Sequence, residues 1–519
     1  MHGTAPSTHK EVEIKLELAP ASLPALKRLS LLQAAKRTQK RAAQVSVYFD
    51  TEKQTLRKKG LMLRVRRQGG HYTQTIKAIT DPGSFERNEW ETDVGGKNPN
   101  LEHAKGTALE PLLTNKLRRR LKPLFETRVQ RTVYSVGNGA HAIALAVDQG
   151  AVETGTKSLE LCEIELELEQ GRIEELFDNA RELTKALPAR LGLKSKSERG
   201  YELIDGKQDF PVKAIEIKLA SGTNARGAFR LVALACLKQV IDNEPAVLKG
   251  DPEGVHQMRV GLRRLRAAMS LFAALLRDSQ TAAMKTELKW LTSELGPARE
   301  LDVLVNRVVA PVKKQHRRWR GMPSLSQEIA KRRGAALARA REAVESVHFR
   351  SLTVDVAAWL HTGQWTEPQD DLTHDQGDVP IEEFAVEQLR RRWRKVRKKG
   401  RALAELDERA RHKLRIQAKK LRYATEFFGG LFANKRAVKR RDRFLAALED
   451  LQDALGDLND IAVHEKRIAA IGAGQQRSNP SRVFAAGLLT GREDARLEAA
   501  MDLGTKAYAA FAKIKPFWR

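Results

Sequence analysis

Cysteine is nearly absent from this chain of 519 residues. There are two, Cys162 and Cys236, each set in an apolar pattern and neither in a CxxC. A disulfide scaffold and a cysteine zinc site are therefore excluded, and a reducing cytoplasm fits. Long apolar runs are also missing. Stretches such as Leu271–Leu276 meet a charge long before the ~20 residues a membrane span needs. The N-terminus, MHGTAPSTHKEVEIK, has no apolar core of the signal-peptide kind. No GxxxxGK[ST] occurs, which argues against an ordinary P-loop NTPase. Aromatic residues are scarce at 6%, so stacking platforms for nucleic-acid bases are few.

What is present is charge and periodicity. Apolar residues make up 41% and charged residues 30%, a soluble globular composition. At ~150 residues per domain the length predicts two to four domains. The net charge is +28. Residues 1–210 carry 35 Lys and Arg against 28 Asp and Glu, a net of +7, which leaves +21 for the remainder. A field of that sign concentrates polyanions: nucleic acid, polyphosphate or acidic headgroups.

Two textures divide the chain. Residues 1–205 read mostly as strand, in alternating segments such as Glu11–Leu18, Leu61–Arg67, Tyr72–Ala78 and Ser158–Glu169, with Gly, Pro, Asn and Asp between them. Stretches 22–36, 108–121 and 172–190 read as helix. Residues 206–219 read as a linker, and 220–519 as helical, with apolar residues at three- and four-residue spacing. An acidic, proline-containing loop, 363–380, divides that region into halves of about 220–362 and 380–519.

The halves repeat each other. HQMRVGLRRLR from His256 aligns with HKLRIQAKKLR from His412, and LGPARE from Leu295 aligns with LGDLND from Leu455. The pattern implies a duplicated helical module related by a pseudo-twofold axis. On a helix, His256, Arg259, Arg263 and Arg266 fall within about 80° of one another. His412, Arg415, Lys419 and Arg422 form the twin ridge, with Tyr423 following. A solvated basic face explains most such stripes; repetition in register favours a shared phosphate-binding groove. A histidine metal site is disfavoured, because the neighbours are arginines rather than carboxylates or cysteines.

In the first region, side chains of one strand face alternate. Glu11, Glu13 and Lys15 share a face; so do Arg64 and Arg66; Thr73, Thr75 and Lys77; Arg87, Glu89 and Glu91; and Glu163, Glu165 and Glu167. One such face is ordinarily solvated. Recurrence over many strands, with long residues of both signs, points to an antiparallel barrel with a charged lumen.

ExExK at Glu11–Lys15, followed in order by RxR, TxK, RxExE, D-x-G and ExE strands, resembles the CYTH superfamily, the triphosphate tunnel metalloenzymes, over roughly 8–203. The duplicated His motif resembles the CHAD domain, the conserved histidine α-helical domain, over roughly 220–515. The resemblance implies a multidomain α and β protein: an N-terminal antiparallel β-barrel tunnel with flanking helices, then an all-α domain of two pseudo-twofold-related bundles. It implies metal ligands at Glu11, Glu13, Asp148, Glu163 and Glu165 for Mg²⁺ or Mn²⁺. Glu11, Glu13 and Lys15 would be catalytic. Triphosphate contacts would come from Lys15, Arg64, Arg66, Lys77, Arg87, Arg131 and Lys196, with Lys194 as a second late lysine. Polyphosphate would be held by His256, Arg259, Arg263, Arg266, His412, Arg415, Lys419, Arg422 and Tyr423.

The expected function is metal-dependent hydrolysis of inorganic tripolyphosphate to pyrophosphate and phosphate, with long-chain polyphosphate bound by the helical part. The alternatives are a non-catalytic polyphosphate-binding or granule-associated protein, or a tunnel enzyme acting on a nucleotide or thiamine triphosphate. Nucleic acid is the second choice of partner, no membrane span is expected, and the location is cytoplasmic, with polyphosphate granules as a place of association.

Overall fold

The computed structural model describes residues 7–78, 86–138, 141–315, 319–367, 377–473 and 479–518; side chains 7–11, 86–87, 138 and 473 are excepted. The chain forms two compact units. The first contains residues up to 212 together with 237–246 and 344–364; the second contains 213–236, 247–343 and 365–519. Two short segments from the helical half of the sequence thus pack with the strand-rich unit.

Nine strands of the first unit, among the described residues, form one antiparallel sheet. They are β1 (Ser7–Glu17), β2 (Lys36–Asp50), β3 (Leu61–Gln68), β4 (His71–Ala78), β5 (Glu86–Asp93), β6 (Lys122–Asn138), β7 (His141–Thr154), β8 (Lys157–Gln170) and β9 (Arg190–Gly192). The order is β5-β4-β3-β2-β6-β7-β8-β1-β9, and β1 also pairs with β5, so the pairing runs round as a barrel. The strand readings hold. The helix expected over 108–121 is short turns only, and the one over 22–36 gives two short helices before β2 begins at Lys36.

The barrel's apolar outer face is covered. Ile14, Leu16, Ile143, Leu145, Ile164 and Leu166 are fully buried. Helix α1 (Ile173–Ala186) packs over β1 and β8 with Leu176, Phe177, Ala180 and Leu183 inward. One end of the inner face is apolar as well. There Tyr48, Met62, Phe125, Val152 and Leu161 receive Tyr201 and Leu203 of helix α2 (Lys196–Asp205). Gly200 makes that approach possible, since a Cβ there would stand 2.1 Å from the Phe125 ring. Tyr201 then donates to Asp50 at 2.8 Å, and Asp50, fully buried, also accepts from the backbone N–H groups of Thr51, Leu56 and Arg57.

The helical region supplies α3 (Ala225–Asp242), α4 (Pro252–Leu271), α5 (Ser279–Leu304), α6 (Met322–Glu345), α7 (Val347–Thr362), α8 (Ile381–Gly400), α9 (Glu408–Phe428), α10 (Lys435–Ala473), α11 (Pro480–Asp494) and α12 (Leu497–Lys513). The duplication is visible as an element order. The helices α4 and α9 carry the His motif, each begins on an aspartate cap (Asp251, Asp407), and α5 and α10 follow with the second motif. Within the second unit the core is duplicated too. Phe272 and Phe428 stand sixteen residues beyond His256 and His412. Phe272 stacks on Phe384 at 4.7 Å and meets Phe428 edge-on at 5.9 Å, while Phe229 lies 5.4 Å from Phe272. The sides of the motif helices opposite the ridges are apolar: Leu262, Leu265 and Met269 on α4 and Leu414, Ala418, Leu421 and Thr425 on α9 are buried, while Val260 of α4, expected with them, is half-buried.

No helix among the described residues is long and apolar enough to cross a membrane. Both cysteines are free and buried, and burial pushes their thiols up to about 11 for Cys162 and about 12 for Cys236.

Asp50 ties β2 to α2, so its loss should loosen that helix. Asp50→Ala is expected to destabilise the first unit by about 3 kcal/mol, because buried donors lose an ionised acceptor. Tyr201→Phe, which removes one hydrogen bond, should cost about 1 kcal/mol. Urea unfolding followed by Trp90 fluorescence, in a variant whose remaining tryptophans are replaced by Phe, measures both.

Candidate functional site: a charged barrel interior and a cationic helical cavity

Register places the barrel's charged residues in rows. Arg131 is opposite Asp148, and Asp148 is opposite Glu163, across β6, β7 and β8. Lys15 of β1 is opposite Glu165. On the other side Tyr48, Arg64, Thr75 and Glu91 form a row across β2 to β5, with Lys77 opposite Glu89 beside it.

The side chains close these rows into ion pairs. Lys15 reaches Glu13 at 2.5 Å and Glu165 at 2.9 Å. Arg131 clasps Asp148 at 2.6 and 2.7 Å and also pairs with Glu165. Lys196, the first residue of α2, lies 2.7 Å from Asp148, 2.5 Å from Glu163 and 2.9 Å from Glu165. Lys77 holds Glu89 at 2.6 Å; Arg64 lies 3.4 Å from Glu89 and 3.7 Å from Glu91.

Burial disfavours charge on Glu165, yet Lys15, Lys196 and Arg131 outweigh it and hold its carboxyl well below the usual range. Burial acts likewise on Asp148, where Lys196 and Arg131 bring the carboxyl down. For Glu163 burial wins over Lys196, so its carboxyl is raised. Arg66 is pushed down to about 10 by burial and then by Arg64 and Arg131 beside it. The Nε atoms of Arg64 and Arg66 are buried without a hydrogen-bond partner. Arg66 lies near enough to Arg64 and Arg131 to be repelled by both, and Arg131 in turn clasps the acid group.

One oxygen from each of Asp148, Glu163 and Glu165 lies within 4.8 Å of the others, the one such group among the described residues. Glu163 Oε2 is buried and has no hydrogen-bond partner. Three hard oxygen donors and an unsatisfied lone pair suit a divalent cation of the Mg²⁺ type. Glu13 belongs to the same charged face but stands outside that group, held by Lys15. The side chains of Glu11 and Arg87 lie outside the described residues. Lys194 pairs with Glu202 at 2.9 Å rather than joining the acid group. Sequence reasoning missed Arg199, one turn after Lys196, which pairs with Glu17 and lies 3.9 Å from Glu163. Its signal was the i, i+3 spacing within SKSERGY.

In the second unit, a cavity of about 1060 Å³ is lined by His256, Arg259 and Arg263 of α4 and by His412, Arg415, Lys419, Arg422 and Tyr423 of α9. The two ridges thus meet in one place, except that Arg266 does not line it. Arg266 lines instead an adjacent cavity of about 710 Å³, although Arg422, at the same tenth offset on α9, lines the first. The second repeated motif completes the first cavity with Arg299, Glu300, Asn459 and Asp460, residues that the sequence showed as a repeat without a role. Arg307, in a π-helical segment (Val305–Val309), lines it as well.

The two halves brace each other reciprocally. Arg307 of the first half reaches Asp457 at 3.0 Å and Asp460 at 3.4 Å in the second. Its counterpart Arg467, at the same distance from the repeated Leu-Gly, pairs back with Glu300. Such exchange of contacts is what a pseudo-twofold produces.

Cations in this cavity are crowded. Burial and then Arg299 push His256 down to about 4, so it is neutral near pH 7. His412 Nδ1 lies 2.7 Å from Asn459 Oδ1, which can only accept. Burial and then Arg415 and Arg263 bring Lys419 down to about 7, with Asp460 opposing and Arg422 adding.

The comparisons follow this division. Residues 9–201 match the CYTH domain model and residues 231–469 the CHAD domain model. An inorganic triphosphatase of Haemophilus influenzae is 28% identical over 207 residues, covering 38% of this chain and 56% of the relative. The chain thus spans little more than half the length of that curated relative. The solved CHAD domain of the plant Ricinus communis is 28% identical, with a TM-score of 0.50 over 58% of this chain and 96% of that one.

The Lys419 amine titrates near neutrality, and a bound polyanion favours its charged form. Affinity for an inorganic polyanion should therefore weaken as pH rises from 6 to 9, by at most about tenfold per pH unit for one linked proton. His256, already neutral, contributes nothing over that range. Titration calorimetry should show the decline in the parent protein and its absence in Lys419→Arg.

Proposed function

We propose that this chain, a CYTH domain followed by a CHAD domain, hydrolyses inorganic tripolyphosphate to pyrophosphate and phosphate inside the barrel and binds long-chain polyphosphate in the helical cavity. The observation that carries the reading is the Asp148–Glu163–Glu165 group on the inner face, clasped by Arg131, with Arg66 near enough to Arg64 and Arg131 to feel the charge of both. The curated relative named inorganic triphosphatase supports the same chemistry.

The residues fit the roles. A bare triphosphate carries several negative charges, and a nucleophile approaches only once these are neutralised. Arg64, Arg66 and Arg131 present guanidinium forks to phosphate oxygens, while Lys15, Lys77 and Lys196 add point charges. Asp148, Glu163 and Glu165, together with Glu13 and Glu11 of the ExExK motif, would hold Mg²⁺ or Mn²⁺, which when bound supplies further charge neutralisation and a more acidic water. Carboxylates of the acid group would orient an attacking water toward the terminal phosphorus and take one of its protons. A P–O bond forms to the water oxygen, the bridging P–O bond breaks, and pyrophosphate leaves with its electron pair and takes up that proton. Lys15, which bridges Glu13 and Glu165, positions both acids.

In the helical cavity the ligand needs no base recognition. Tyr423 is the one aromatic on the two ridges, and its hydroxyl is engaged by Arg263 Nε at 2.8 Å. That favours an unbranched phosphate chain over RNA or DNA.

Phosphate release from tripolyphosphate, ATP, thiamine triphosphate and long-chain polyphosphate, each with Mg²⁺ and with Mn²⁺, tests the assignment. Tripolyphosphate should exceed ATP by at least about tenfold in kcat/KM, a difference of roughly 1.4 kcal/mol in transition-state stabilisation. Equal values would move the assignment to nucleotides. Glu13→Gln should lower kcat by on the order of a hundredfold or more, as expected for a lost electrostatic or acid–base group, while its unfolding midpoint stays close to the parent's. Full turnover by this variant at saturating metal would remove Glu13 from the site.

A further inference from the structure

The cavity of about 710 Å³ beside the histidine-lined one lies outside the roles assigned so far. Arg259, Arg263, Lys419 and Tyr423 line both cavities. The ridges are thus a shared wall as well as the floor of a single groove. The chemistry on its two sides differs. Facing the histidines, the cations are interleaved with carboxylates, among them Glu300, Glu408 and Asp460. On the other side Arg266, Lys285, Lys289 and Lys420 add to the shared cations, and among the described residues no Asp or Glu lines the cavity.

A solvated basic surface is the ordinary explanation for lysines on a helix, and Lys285 and Lys289 are exposed at i, i+4 on α5. Three observations go beyond it. The cations come from three helices, α4, α5 and α9, and converge on one cavity. The wall is held in place: Arg263 donates to Tyr423 at 2.8 Å, and Arg259 donates at 2.8 Å to the carbonyl of Thr292, itself a lining residue. Lys420 has cations beside it from two neighbouring helices, Arg266 on α4 and Arg392 and Lys395 on α8, and burial followed by their repulsion lowers its amine. Like charges gathered without counter-charge cost free energy that a polyanion would recover.

We propose that this second cavity is a further limb of the polyphosphate site, in which a phosphate chain lying along the ridge crosses the Arg263–Tyr423 wall and ends among Arg266, Lys285, Lys289 and Lys420. The inference rests on the polyphosphate reading above and adds chain-length selectivity to it. The ligand class is an unbranched inorganic polyphosphate: repeating anionic units, no base to clear the wall, and no metal required where no carboxylate is present. Short chains fill one limb. Longer chains gain the second.

The test uses the full chain, with a chelator present, and inorganic polyphosphates of increasing length. Lys285→Ala/Lys289→Ala is chosen because both residues are exposed and alanine favours the helix. The dissociation constant of the parent protein should fall with chain length. The double variant should lose about tenfold for long chains, as expected for one or two charge-assisted contacts, and nothing for short ones. Its salt dependence with long chains should flatten by about 0.7 in slope per contact removed. Equal losses at every length would show a general field and overturn the second limb. So would equal affinities of parent and variant for long chains. Single-stranded RNA of matched phosphate content that binds more tightly, and loses as much, would overturn it in favour of nucleic acid. A parent protein that binds no polyphosphate overturns the polyphosphate reading itself, whereas one that binds with no length dependence overturns only this inference.

Discussion

The barrel depends on burying charges of opposite sign together. Asp148, Glu163, Glu165, Lys15 and Lys196 have almost no exposed surface, and each isolated charge there would cost several kcal/mol. They persist because each is clasped by its neighbours. That ties the rest of the unit to register: a slip of one residue in β8 would turn Glu163 and Glu165 outward and Ile164 and Leu166 inward. It also makes α2 part of the interior, since Lys196 closes the acid group from the helix. The Asp50–Tyr201 bond and the missing Cβ of Gly200 thus act on the charged cluster at a distance.

The helical unit handles charge the other way. Some of its cations are paired, as Arg307 and Arg467 are, but others are crowded by cations of like charge. His256, Lys419, Arg392 and Arg415 are all shifted toward their neutral forms, burial leading in each case. The barrel carries its counter-ions within it. The helical part of the sequence carries the larger excess of positive charge, +21 beyond residue 210.

Much of this was legible beforehand. Alternation of long charged residues opposite Leu, Ile and Val is a property of the strand itself, and it revealed the inner face of β1, β3, β4, β5 and β8. The His ridges followed from helical period in the same way. What period could not supply was the third dimension. Arg266 and Arg422 hold the same place on their two stripes, yet packing of the helices leaves Arg422 in the first cavity and Arg266 in its neighbour. Arg199 reaches Glu163 only because α2 enters the barrel. The segments 237–246 and 344–364 read as ordinary helix, and nothing in their pattern says which unit they join. Such placements depend on packing between distant segments, to which local periodicity is blind.

The duplication has a further consequence. Arg307 with Asp460 and Arg467 with Glu300 exchange contacts as a pseudo-twofold requires, so the scaffold of the cavity is close to symmetric. Its chemistry is not. At the matched seventh offset one half has Arg263 and the other Lys419, and beside the histidines stand Arg299 in one half and Asn459 in the other. Arginine keeps its proton throughout the physiological range, whereas a crowded lysine does not. Asn459 can bond His412, while Arg299 can only repel a charged His256. Each substitution leaves the brace intact and changes the charge behind it. A duplicated site can therefore diverge in its response to pH and ligand without losing the symmetry that holds it together, and the sensitivity comes to reside in one half.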